Sequence, residues 1–163
     1  MAKPPKPKSS RSRGAAARAG KLDRAPLRLE HFIPYRLSIL SNTVSQGIAD
    51  EYQERFDLGM TEWRVMAVLA RFDGCSAREV AERTAMDKVA VSRALARLVR
   101  DGRVERGTHD DDKRRSVLSL SRSGWAIHDV VAPMARAHER ELLRHLDAEE
   151  RAWLERILTK LQV

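Results

Sequence analysis

Six consecutive charged side chains open the chemistry of this chain: Asp110, Asp111, Asp112, Lys113, Arg114 and Arg115. An Asp two residues before an Arg can hold its guanidinium in a bidentate salt bridge. The cation is then aimed, which suits insertion into a narrow DNA minor groove. A solvated charged loop is the plainer alternative. A second cationic set lies upstream, where Lys88, Arg93, Arg97 and Arg100 share one segment with Ala90 and Ser92. Arg93 has the chemistry to pair bidentately with guanine, and Ser92 to bond a base or a phosphate. Ala90 is small enough to allow close approach or to touch a thymine methyl. Enzyme chemistry finds no comparable support, since the chain has no Gly-rich phosphate loop and no Gly-x-Ser-x-Gly motif. Its lone Cys75 and five scattered histidines give no zinc-ligand spacing. No metal or cofactor is expected.

The elements that must position these groups follow from periodicity. Apolar residues recur every three or four positions from 32 to 56 (Ile33, Leu37, Leu40, Val44, Ile48, Tyr52, Phe56), which predicts a first helix. A second starts at Thr61 and ends near Asp73-Gly74, a turn signal. Ser76 and Glu79 have capping-box spacing for a third, on which Ser76 and Arg78 are candidate DNA contacts. Asp87 is an N-cap for a fourth, 88–100, whose stripe Val91, Leu95, Leu98 and Val99 faces inward; Gly102 is its stop. The period then shortens. Residues 103–106 and 116–120 read as two strands around the charged loop, a β-hairpin. Ser121 caps a helix over about 122–145, where Pro133 should introduce a kink, and Asp147 with Glu150 caps a last one. The order helix, turn, helix, hairpin is that of a winged helix-turn-helix, with 88–100 as its recognition helix.

Length and charge agree with that reading. The 163 residues are 42% hydrophobic, enough for one globular domain. The net charge is +8, and residues 1–25 hold eight cations (Lys3, Lys6, Lys8, Arg11, Arg13, Arg18, Lys21, Arg24) against Asp23. Residues 76–122 hold twelve basic and eight acidic side chains. A near-neutral body with one basic segment and a basic arm fits a polyanion touched at a defined place. We expect an arm over 1–27, rich in Lys, Arg, Pro, Ser and Ala, and one domain over 28–163. The arm has two open readings, a tracker of DNA phosphates or a solubilising tail. A single cysteine, no apolar span and no secretory leader predict a cytoplasmic protein.

Three segments carry a resemblance. Residues 58–66 (Leu-Gly-Met-Thr-Glu-Trp-Arg-Val-Met), 92–106 (Ser-Arg-Ala-Leu-Ala-Arg-Leu-Val-Arg-Asp-Gly-Arg-Val-Glu-Arg) and 112–121 (Asp-Lys-Arg-Arg-Ser-Val-Leu-Ser-Leu-Ser) are similar to MarR-family transcriptional regulators. In the family the last segment is Asp-x-Arg followed by a strand ending Leu-Thr; here Ser121 replaces the Thr. The resemblance covers about 30–161. It implies a mainly α fold with a small β-hairpin, a winged helix-turn-helix over 58–121, and a helical dimerisation lobe from 32–56 and 122–161. It implies that Asp112 orients Arg114 into the minor groove, beside Arg115, while helix 88–100 reads the major groove. It also implies a homodimeric repressor of a palindromic operator, with recognition helices about 34–36 Å apart. The face Trp153/Leu154/Ile157/Leu158/Leu161 would otherwise be an apolar patch needing cover.

Family members often release DNA on binding a small aromatic acid. His31, Tyr35, Arg36, Asn42, Trp63 and Met66 are the candidate lining residues. Arg36 can pair a carboxylate or phosphate, and Tyr35 and Trp63 can stack on a ring; the alternative is that the rings are core and Arg36 is surface. The stretch 35–42 (Tyr-Arg-Leu-Ser-Ile-Leu-Ser-Asn) resembles regulators of hydroxycinnamate degradation, which implies p-coumarate, a relative, or an aromatic acyl-CoA thioester as effector. Peroxide-sensing relatives place their cysteine near the start of the first long helix, whereas Cys75 precedes Ser76. The rival reading of the whole chain is a sequence-independent architectural DNA binder, favoured by the basic arm. RNA fits less well, because aromatics are 5% of residues and none interleaves helix 88–100.

Overall fold

The computed structural model describes residues 26–108 and 116–162. A 3-10 turn, Leu29–His31, precedes α1 (Ile33–Phe56), α2 (Met60–Arg71), α3 (Ala77–Thr84) and α4 (Lys88–Arg100). Strands β1 (Val104–Thr108) and β2 (Ser116–Leu120) follow, then α5 (Arg122–Leu142) and α6 (Ala148–Leu161). Contacts divide the chain after Arg36 into a unit ending there and a second unit, Leu37–Val163. Among the described residues, all the buried hydrophobic ones lie in the second.

The core fills the space between α2, α3, α4 and the hairpin. Leu58, Val65, Met66, Leu69, Val80, Leu95 and Leu98 are each at most 2% exposed. Burying such aliphatic side chains stabilises by roughly 1.5–3 kcal/mol each. The sheet is one antiparallel pair in which Val104 faces Leu120, Arg106 faces Leu118 and Thr108 faces Ser116. Val104, Leu118 and Leu120 are buried, as a period of two requires when one face covers a core. A third stretch of chain joins this pair. The Leu118 N–H donates to the Cys75 carbonyl oxygen at 2.9 Å, so β2 is tied to the turn between α2 and α3.

Helix ends follow their local chemistry. At α4 the Gly102 N–H donates to Val99 O (3.0 Å) and the Arg103 N–H to Leu98 O (2.8 Å), the double bond of a Schellman stop. Gly102 has φ +67, a left-handed conformation that favours glycine. Gly102→Ala should therefore cost about 1 kcal/mol, read as a lower urea midpoint at unchanged slope. Ser121 caps α5 by accepting the Gly124 N–H at 3.0 Å. A Cβ on Gly124 would stand 2.1 Å from the Arg103 carbonyl oxygen, so the first turn of α5 can lie against the start of β1 only with glycine here.

Some boundaries differ from the sequence reading. α2 begins one residue early, at Met60, because the Glu62 carboxylate accepts the Gly59 N–H and makes Gly59 the cap. β1 runs 104–108 and not 103–106, since Arg103 completes the Schellman stop and Gly107 and Thr108 pair with β2. α5 contains Pro133 and ends at Leu142, where tighter bonds from Arg144 N–H to Glu141 O and Leu146 N–H to Leu143 O turn the chain toward the Asp147 cap of α6. α6 has no buried residue. Leu37 and Leu40 on α1, like Trp153, Ile157 and Leu161 on α6, are exposed. The charged loop 110–115 and residues 1–25 of the expected arm lie outside the described residues.

Candidate nucleic-acid interface

The helix-turn-helix is built from its caps upward. The Ser76 hydroxyl accepts the Glu79 N–H at 3.3 Å, and the Glu79 carboxylate accepts the Ser76 N–H at 2.8 Å, so the expected capping box forms. Ala85 closes α3 in the left-handed region, φ 50, and sets the turn. Asp87 then caps α4, its carboxylate accepting the Val89 and Ala90 N–H groups at 2.9 and 3.1 Å. Val91, Ala94, Leu95 and Leu98 are buried. At about 100° per residue, that stripe leaves Val89, Ser92, Arg93, Ala96 and Arg100 on the open side, and all five are exposed; Lys88, seven residues before Leu95 and so on the stripe's own side, is exposed in the first turn of the helix.

The expected DNA-facing residues divide accordingly. Lys88, Ser92 and Arg93 are exposed, Ala90 is half-buried at the edge, and Arg78 is exposed on α3 with a 2.7 Å ion pair to Glu82. The Ser76 hydroxyl also donates to the Glu79 carboxylate at 2.6 Å, so it is engaged in its own cap. Asp112, Arg114 and Arg115 lie outside the described residues. Arg97 corrects the sequence reading, being turned toward protein. Its guanidinium lies 2.7 Å from the Asp57 carboxylate, 3.3 Å from Glu62 and 3.8 Å from Asp101. These contacts, led by the Asp57 hydrogen bond, hold Arg97 still more firmly protonated than a free arginine. Asp101 is held below the usual carboxylate range, chiefly by the Arg100 hydrogen bond. Its stabilising share is complete at neutral pH and is lost as the pH falls through that lowered value.

The expected effector residues fare unevenly. In the first unit His31 is exposed, with its ring 3.2 Å from Arg28, and Tyr35 and Arg36 are exposed. In the second unit Asn42 is exposed, while Trp63 is half-buried. Trp63 lies between Tyr52 (centroids 6.0 Å) and His128 (5.8 Å), with Trp125 edge-on to His128 at 5.2 Å. Burial pushes the Tyr52 phenol up, against the Arg64 charge. Met66 is wholly buried and so belongs to the core, not to a lining. Cys75 is also buried. Sequence reasoning missed His128 and Trp125, and it missed the acceptors of Arg97, because long-range pairing leaves no periodic signal.

These caps, this inward stripe and this exposed cationic face define a winged helix-turn-helix of the DNA-binding class. The MarR family model matches residues 56–115. The chain is 32% identical to the HTH-type transcriptional regulator BilQ of Clostridium symbiosum over 82% of this chain and 92% of that one. Among solved structures it is similar to a MarR/EmrR family regulator from Acinetobacter sp. ADP1 (TM-score 0.77, 28% identity, 83% of this chain and 96% of that one). A mutant of E. coli MarR complexed with operator DNA gives a TM-score of 0.71 at 27% identity, over 85% and 100% of the two chains. The chain belongs to the MarR family and is a DNA-binding transcriptional regulator, not an enzyme.

Proposed function

We propose that the chain is a homodimeric repressor that binds a palindromic operator and leaves it when a small aromatic acid, such as a hydroxycinnamate or its CoA thioester, is bound. The observation that carries the DNA reading is the face of α4 opposite its buried stripe, where Ser92 and Arg93 are exposed together, with Lys88 exposed in the helix's first turn. The operator-bound E. coli MarR structure supports it by likeness. In this reading Asp112, Arg114 and Arg115 form the wing tip that enters the minor groove. Support for the dimer is the exposed face of α6, whose Trp153 and Leu161 are 51% and 59% exposed. Support for the effector is the resemblance of residues 35–42, with Arg36 available to pair a carboxylate. The effector acts by preferring a dimer whose recognition helices are wrongly spaced.

Anisotropy titrations of DNA upstream of the chain's own gene, at about 0.15 M salt, test this reading. One palindromic site should bind far tighter than scrambled DNA, and p-coumarate, another hydroxycinnamate or a CoA thioester should release it. Equal binding of both duplexes with a steep salt slope would instead establish the architectural reading, which the arm's excess of cations favours. Sedimentation of the free chain as a monomer at micromolar concentration would remove the dimer.

A further inference from the structure

Two arginines from the recognition-helix region close on the carboxyl end of α1. Arg97 Nη2 donates to the Asp57 carbonyl oxygen at 3.1 Å as well as to its carboxylate at 2.7 Å. Arg103 Nη2 donates to the Phe56 carbonyl oxygen at 2.6 Å. These carbonyls end a 24-residue helix, where unpaired acceptors and the negative dipole end favour cations. The first helix is thus joined to α4 at one corner. The amino end of α2 enters the same corner through Glu62, a side chain 8% exposed that faces Arg97 and also accepts the Gly59 N–H.

Arg97 is poorly placed to be a phosphate ligand. Three carboxylates surround its guanidinium, and each would repel a phosphate. Swinging out to DNA would leave Glu62 buried without its counter-charge. We propose that Arg97, seconded by Arg103, is a positioning residue: it fixes the angle of α4 against the end of α1, so that operator affinity follows the position of α1. Asp57 and Glu62 are its anchors. Asp57 adopts φ 47, which an Asp accepts more readily than most residues and which turns its carbonyl oxygen and carboxylate to one guanidinium. A displacement of α1 then reaches the DNA-facing side through this corner, without a ligand touching α4. The inference rests on α4 being the helix that faces DNA.

The test uses the full chain and a duplex selected by it from a random-sequence pool, with affinity measured against salt concentration. Arg97→Met should weaken binding about ten-fold, a usual size for coupling between sites. The slope of log K against log salt should stay unchanged, because no phosphate contact is removed. Asp57→Asn and Glu62→Gln should weaken binding too, although each removes a negative charge and simple electrostatics would tighten it. Asp57 is an exposed side chain and asparagine accepts the same left-handed backbone, so this variant keeps the test valid where Arg97→Met fails to fold. The proposal is overturned if Arg97→Met lowers the slope by about one while Asp57→Asn tightens binding, or if neither variant changes affinity. Arg93→Ala is the control: unchanged affinity and specificity there would remove α4 from the DNA and with it the reading beneath this one.

Discussion

Arg93→Ala is expected to abolish most discrimination between the operator and random DNA while leaving the fold intact. Arg93 sits one turn into α4, exposed, with no ion pair among the described residues. Its loss opens no cavity and strands no buried group, so the melting temperature should stay put. A bidentate Arg–guanine pair is worth about 1–3 kcal/mol of discrimination, so the operator should bind roughly 5- to 150-fold more weakly. Random DNA should weaken far less. A uniform loss on both duplexes, with a salt slope reduced by about one, would mean that Arg93 meets a phosphate.

Gly124→Ala should have the largest effect on stability. The added methyl would meet the Arg103 carbonyl oxygen at 2.1 Å. That oxygen is backbone and already accepts the Ser121 N–H at 3.1 Å. Neither side can yield by rotating a side chain, so α5 must lift from the hairpin or the Ser121 cap must open. Overpacking of this kind costs about 1–3 kcal/mol, and the rigid partner argues for the upper end. A fall in melting temperature of roughly 6–12 °C follows for a chain of this size. DNA affinity should fall with it, since the same turn holds the base of the hairpin. A melt within one degree of the parent would show that the backbone moves aside freely.

These two residues mark how far the sequence could be read. Arg93 was legible because a helix with an inward stripe fixes what its other face presents, and the stripe is local. The caps Ser76, Asp87, Ser121 and Asp147 were legible for the same reason, each being set by bonds across two or three residues. Arg97 was not. It stands three residues from buried Ala94, about 60° round the helix, at the margin of the open arc, where reaching out and folding back are equally allowed. The choice is made by Asp57, forty residues earlier in the chain. Gly124 was hidden likewise, for its constraint is a carbonyl twenty-one residues upstream. Met66 fell on the wrong side because a methionine suits a lining and a core equally well. The helix α6 shows the opposite case: its apolar face was plain in the pattern, yet the chain alone does not cover it.

The bond from Leu118 to Cys75 also bears on how the chain reaches this structure. Helices α2, α3 and α4 meet neighbours close in sequence, so their contacts can form early and cheaply. The strand β2 must find a partner more than forty residues back before its amide is satisfied. Closing so long a loop carries an entropy cost that only a preformed helical platform offsets. The hairpin is therefore expected to dock last and to leave first. Nascent chains would then hold an assembled helical core before they have a wing.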